Sequence, residues 1–385
     1  MLIILTYNAI ILVGGGNMKK IIVLLVAILL FNTYTVFAKE NPSLTVDNLT
    51  LSIGESYNIN INNKIRGSKY YWYSNDTDIA TVNSKNGIVN AVSGGVTTIY
   101  CEITLPSGDV EKLFCQVEVI PPFFVNKYVA HAGGGFEDNV YSNTKEAILN
   151  SIENGFNFIE IDLTLTSDDK LVCSHGWDKN TYEAIGVDYE GVPTYNEFMS
   201  WKVQGKYDTV DADDLIGIMK EHPDLLIEID LKKFGKARTR KAITQLVESA
   251  GRDEQILDRI LMQFTSETAY FAIKEIYDFK YYQYFTYKSR IADELEDVIR
   301  FCKDNKITSM AVNYTVLTAE MIDEIKNNNL YLLAFTIDDE DLAQEFLDRG
   351  VDAICTNFII PEELPDGGSF FGKKGRGETE WQRDT

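Results

Sequence analysis

The sequence predicts an α/β chain, a (β/α)8 TIM barrel preceded by a small all-β sandwich. Three observations carry this. After a Pro121-Pro122 pair, eight β-rich cores alternate with helix-like stretches over about 240 residues, the length and rhythm of parallel βα units closing on themselves. Before that pair, short alternating runs are divided by Gly, Asn, Asp and Ser, the pattern of a small strand-only unit. The other fold with this βα rhythm, an open doubly wound sheet, lacks its mark: "HAGGGFEDN" after the first core has glycines without the spacing of a dinucleotide loop.

The 385 residues allow two or three domains, and 45% hydrophobic content with 12% aromatics supplies a core. A net charge of -22 offers no basic field for a phosphate backbone, so nucleic acid is excluded as a partner. An anionic substrate held through a bound cation remains compatible with it.

Residues 1–38 read as an export segment, with 18–38 its true start. Met18-Lys19-Lys20 is a short basic region, "IIVLLVAILLF" is too short for a comfortable span, and Val36 and Ala38 occupy small-residue positions before a cleavage point. Cleavage would remove two lysines and no acids, leaving -24, and would deliver the chain outside the cell. An uncleaved anchor is the other reading. Of five cysteines, Cys101 and Cys115 lie in neighbouring strand-like runs and are placed to pair across a hairpin. Cys173, Cys302 and Cys355 read as buried thiols.

Residues 43–120 form the predicted sandwich. Asn86-Gly87 and Gly94-Gly95 supply turns, and Trp72, Ser74, Ala80, Val82, Gly87, Val89, Val92, Gly95 and Ile99 fall in a pattern that resembles the bacterial immunoglobulin-like group 2 domain. The resemblance implies a spacer or a module touching a cell wall or surface. The prolines then stiffen a join. Residues 124–361 form the predicted barrel, and the tail 362–385, rich in Gly and charge, reads as disordered.

In a βα barrel the C-terminal strand ends face one mouth. The first strand ends at His131; the second carries Glu160 and Asp162, and its extension ends at His175; the third carries Glu228, Asp230 and Lys232. Residues i and i+2 share a strand face, so carboxylates converge there if those faces point inward. Acids that close need a counter-charge, and a hard divalent cation, Ca2+ or Mg2+, is the natural one. Two of the three histidines fall at the same strand ends; His222, in "KEHPDL", reads as a surface helix end. Trp177, in the loop after His175, is placed either to stack on a headgroup or simply to pack.

"HAGG…SNT…EIDLTLTSDDKLVCSHGWD" and the closing "FTIDDEDLAQEFLDRGVDAICTN" resemble the glycerophosphodiester phosphodiesterase family of phosphatidylinositol-phospholipase-C-like barrels, over residues 127–361. The resemblance implies a metal-dependent hydrolase of glycerophosphodiesters, or of phospholipid headgroups, with His131 and His175 as general acid and base; with the export segment, the expectation is a secreted enzyme. Glu160 and Asp162 would hold the metal with Asp230, Glu228 being the alternative third-strand acid, while Lys232 would contact phosphate and Asn143 would lie toward the substrate. The chain departs from the family pattern at Ala132 (Arg in the family), at Tyr141-Ser142 (Pro-Glu), at the displaced acid Asp178 and at Phe335 (Trp). Two further readings follow from these departures and from the barrel class: a surface binding protein with impaired catalysis, and a lyase that forms cyclic phosphate.

Overall fold

A computed structural model describes residues 41–361, apart from 138, 233 and 287–290 and the side chain of 292. The expected export segment and the C-terminal tail lie outside the described residues. Among those described, no helix is long and apolar enough to cross a membrane.

The eight β-rich cores are eight parallel strands: β1 (Tyr128–Ala130), β2 (Phe158–Leu165), β3 (Leu226–Leu231), β4 (Ile260–Phe264), β5 (Tyr281–Thr286), β6 (Ser309–Asn313), β7 (Tyr331–Phe335) and β8 (Ala353–Thr356). Each pairs with the next, and β1 pairs with both β2 and β8, so the sheet closes into a (β/α)8 barrel. Every residue of β2 is buried, as expected of a strand covered on one side by helices and on the other by the barrel interior. Helices such as Lys145–Glu153, Lys236–Ser249 and Ile291–Asp304 lie between the strands. Their starts follow local chemistry: the Thr144 hydroxyl accepts from Ala147 N, and the Asp211 carboxylate from Asp214 N.

One expectation changes here. His175 does not end an extension of β2. The chain turns back, and Leu171–Cys173 runs antiparallel along β2 with Cys173 opposite Leu163. Ser174 N then donates to Asp162 O at 3.0 Å, which brings the chain before His175 alongside Asp162. A period-2 apolar pattern reads the same in either direction, so this reversal was not visible in it.

The first unit holds a four-stranded sheet (48–52, 110–120, 95–104 and 69–74 in order) and a three-stranded sheet (56–58, 88–91 and 80–82). Both contribute to one core that includes Ile59, Trp72, Val89, Ile99 and Val117. The expected Cys101–Cys115 bridge is absent: Cys101 faces Leu113 and Cys115 faces Ile99 across the ladder, and all five cysteines are buried free thiols. Burial raises the Cys101 and Cys115 thiols to about 11.

The join belongs to the barrel rather than hanging free. Phe123 meets the rings of Phe158 and Tyr281 edge-on, each at 5.1 Å, and Phe124 stacks on Tyr331 at 4.9 Å. These two residues pack with Val129, Leu226, Leu261 and Ala353, near the starts of their strands, so the linker plugs the barrel floor. Across the same seam the Tyr331 hydroxyl donates to Val119 O at 3.0 Å, and Lys306 pairs with Asp78 at 2.8 Å. Truncating a buried Phe costs about 3–5 kcal/mol through lost burial and a residual cavity. Phe123→Ala is therefore expected to lower barrel stability by that amount in urea unfolding followed by tryptophan fluorescence; a loss below 1 kcal/mol would show that the plug contributes nothing.

Candidate active site

The C-terminal ends of the strands open into a cavity of about 490 Å3 lined by His131, Tyr141, Glu160, Asp162, His175 and Asp230 among others. The register of β2 against β3 sets Glu160 opposite Glu228 and Asp162 opposite Asp230. One oxygen from each of Glu160, Asp162 and Asp230 lies within 4.8 Å of the others. Glu160 and Asp162 are 4% and 2% exposed, so water does little to separate their charges.

Lys232 answers part of that charge. Its ammonium pairs with Asp162 Oδ1 and, at 2.6 Å, with Asp230 Oδ2. Burial works against the ammonium, yet Asp162, Asp230 and Glu160 outweigh it and raise its pKa. Burial likewise works against the Asp162 carboxylate, but Lys232, His175 and His131 hold it below the usual carboxylate range. Glu160 goes the other way, pushed well above that range by burial and by the charges of Asp162 and Asp230. One ammonium thus keeps one deep acid ionised and leaves its neighbour favouring a proton. Oxygen donors converging with unbalanced charge suit a hard divalent cation, so the donor set fits one.

Backbone geometry aims these acids. Ala132 N donates to Glu160 Oε2 at 2.7 Å, and Asn143 makes two bonds with Asp162, its Nδ2 donating to Oδ2 and its Oδ1 accepting from Asp162 N, both at 2.9 Å. Asn143 is 1% exposed and is absent from the cavity lining. Asn143, expected toward the substrate, has both ends of its amide bonded to Asp162. Ala132, Tyr141 and Asn143 all have left-handed φ, of +48°, +57° and +48°, a strained cluster in the loop after β1. The glycine run there lets the loop press inward, since a Cβ on Gly134 would strike the Ser151 hydroxyl and one on Gly135 would sit 2.6 Å from Asn357 O.

Tyr141 stands between the two imidazoles, its ring 4.6 Å from His131 and 5.1 Å from His175 in edge-on contacts. His175, at the open rim, is held below the ordinary histidine value, by burial first and then by Lys232 and His131, against the pull of Asp162. His131 Nδ1 lies 2.9 Å from Asn357 Oδ1.

Trp177 and Glu228 lie as follows. Trp177 is not in the cavity lining: its Nε1 donates to Leu165 O at 2.9 Å and its ring meets Phe198 edge-on at 5.5 Å, so it packs beneath the excursion between Cys173 and Ala212. Glu228 borders the cavity but is fully buried, and its Oε1 accepts from the amides of both Gln263 and Gln283. Asp230, not Glu228, groups with Glu160 and Asp162. Burial pushes the Glu228 carboxyl up to about 8. Sequence reasoning missed Tyr141 as a wall of the site, and it missed Gln263, Gln283 and Asn357. Asn357, just past the end of β8, was open to the same strand-end logic that found His131.

A family model for the glycerophosphoryl diester phosphodiesterase family matches residues 134–360. Human lysophospholipase D GDPD1 is 28% identical over 141 residues, 34% of this chain, and the match spans 43% of the human protein's length. Among solved structures, a phosphodiesterase from Oleispira antarctica in complex with the product sn-glycerol-3-phosphate superposes with a TM-score of 0.51 at 18% identity, covering 61% of this chain and 95% of that one. A glycerophosphodiester phosphodiesterase from Parabacteroides distasonis gives 0.49 at 19% identity, covering 60% and 92%. The first of these likenesses speaks for the barrel fold.

The Glu228 position yields a signed pH dependence. Unfolded, this carboxyl titrates near its ordinary 4.5, whereas folded it titrates near 8. Between those values the folded chain holds a proton the unfolded chain lacks, so stability falls as pH rises through that window, by at most about 1.4 kcal/mol per pH unit from this group. Glu228→Gln should flatten that slope in urea titrations at pH 5, 6.5 and 8, with its largest relative gain in stability at pH 8. An unchanged slope would mean that Glu228 is ionised in the folded chain.

Proposed function

The chain belongs to the glycerophosphoryl diester phosphodiesterase family, whose model spans more than half of it, and on that footing we propose that it is a phosphoric diester hydrolase that cleaves glycerophosphodiesters to sn-glycerol 3-phosphate and an alcohol. One observation carries the reading: two imidazoles, the Glu160–Asp162–Asp230 cluster and one ammonium meet in a single cavity at the strand ends of the barrel. In this reading water attacks phosphorus as the P–O bond to the leaving alcohol breaks. One of His131 and His175 takes the water's proton, and the other gives a proton to the departing alkoxide. Imidazoles suit both tasks because they titrate near neutrality.

Glu160, Asp162 and Asp230 would hold the divalent cation, Ca2+ or Mg2+, which when bound supplies positive charge to the phosphate oxygens. Asn143 and the Ala132 N–H keep those acids aimed. Lys232, already at the edge of the acid cluster, is placed to share its ammonium with a non-bridging phosphate oxygen. The family's arginine position is Ala132 here, and its backbone N–H serves Glu160, so phosphate recognition falls more heavily on Lys232.

We also propose that residues 1–38 direct export and that 43–120, read as an immunoglobulin-like module, holds the barrel beside a cell surface or wall. Two sheets around one core support the module reading, and the basic-then-apolar start supports export.

Two substrates separate the histidines. Loss of either imidazole should lower turnover of glycerophosphocholine by roughly 10²–10⁴-fold. With bis-p-nitrophenyl phosphate the leaving group needs no proton, so alanine at the acid histidine should be tolerated while alanine at the base is not. Excess chelator should suppress both activities, with recovery on adding Ca2+ or Mg2+. Turnover that survives both alanine variants and chelation would end the reading. For export, the secreted polypeptide should begin at Lys39 by N-terminal mass spectrometry; a cell-retained chain starting at Met18 would refute cleavage.

A further inference from the structure

The segment after β8 holds a chain of hydrogen bonds that ends on His131. Asn357 Oδ1 lies 2.9 Å from His131 Nδ1, while Asn357 Nδ2 donates to Asp338 Oδ2 at 2.8 Å. Asp338 Oδ1 accepts from Asn357 N at 2.6 Å and from the Thr356 hydroxyl at 3.0 Å. Asn357 O accepts from Gly135 N at 2.7 Å, in the loop that carries His131. Asn357 is thus fixed through both backbone groups and both ends of its side chain.

We propose that Asn357 is a positioning residue that holds His131 in its Nδ1–H tautomer, and that Asp338 sets which way the Asn357 amide points. An ionised carboxylate only accepts, so the end of the amide facing Asp338 is the NH2 group. The carbonyl oxygen therefore faces His131, and an oxygen that only accepts requires the ring nitrogen opposite it to carry hydrogen. The proton on Nδ1 leaves the Nε2 lone pair as the one that exchanges a proton during the reaction. A reversed amide would set oxygen against carboxylate and would select the opposite tautomer. The inference rests on reading His131 as the proton-transfer group; the tautomer itself is a property of the unreacted protein.

The test uses the full chain with ring-15N-labelled histidine, in Mg2+, observed by long-range 1H–15N correlation. Only three imidazoles contribute, and His222→Gln and His131→Asn assign them. Neutral His131 is expected as Nδ1–H. In Asp338→Asn the new amide faces the Asn357 amide, which is then free to turn; the signal should move toward the Nε2–H pattern, and kcat on glycerophosphocholine should fall roughly ten- to a hundredfold with KM changed by less than about twofold. The exchanged pair Asp338→Asn with Asn357→Asp puts a carboxylate against Nδ1–H and an amide behind it. It should restore both the tautomer and most of kcat, which a merely structural role would not predict. Unchanged melting temperatures across the set exclude misfolding as the cause. Wild-type His131 found as Nε2–H overturns the inference, whether or not the protein turns over a diester. Turnover with normal kcat in Asp338→Asn also overturns it, while leaving the diesterase reading intact.

Discussion

The arrangement around the barrel mouth follows from a shortage of positive charge. Glu160, Asp162 and Asp230 place oxygens within 4.8 Å of one another, and Lys232 brings the ammonium that pairs with two of them. Burial makes that imbalance costly, because in a low-dielectric interior neither water nor salt dilutes it. The surrounding features read as answers to it. Asn143 and the Ala132 N–H hold carboxylate oxygens by hydrogen bonds, and the loop that delivers those groups has left-handed backbone at Ala132, Glu137, Tyr141 and Asn143 as well as at Gly133 and Gly134. A structure that stores unbalanced charge and backbone strain in one place is organised to receive something charged there.

Two kinds of control act on the site, and they reach it from the two sides of β1. On the β2–β3 side the acids are governed by charge, as the opposite displacements of Glu160 and Asp162 reflect. On the β8 side His131 is governed by hydrogen-bond direction through Asn357. Tyr141 separates the two imidazoles, so neither ring can satisfy itself on the other. Glu228 stands beside the cluster without joining it: its Oε1 accepts from Gln263 and Gln283, while burial and the charge of Asp230 favour its protonated form.

Much of this was readable in the residues, and the limits have physical causes. The parallel strands announce themselves because strands buried on both faces form continuous apolar runs, and the i, i+2 spacing of Glu160 with Asp162 and of Asp230 with Lys232 survives into three dimensions as a shared face. The choice between Asp230 and Glu228 was not readable, since it depends on what lies across from each, and the two glutamines come from β4 and β5. Direction was also lost: apolar alternation from Phe158 to Cys173 cannot reveal that the chain reverses before His175. Trp177 misled because an aromatic residue in a loop near a histidine looks alike whether it faces solvent or a packed cluster of Phe198 and Trp201. The helices at 179–185 and 195–200 went unmarked, being too short to show a periodic face.

The linker plug has a consequence for how the chain assembles during synthesis. Phe123 and Phe124 emerge early, right after the first unit, yet the surfaces that cover them come from Val129 through Cys355. The last of those surfaces leaves the ribosome more than 200 residues later, at about 5–20 residues per second. Cover for this greasy hook is made piecemeal, from Val129 and Phe158 through Tyr281 to Cys355, and is complete only at the end of that interval. The floor of the barrel is laid only when its final stave arrives, so closure at the bottom and closure between the first and eighth strands become a single late event.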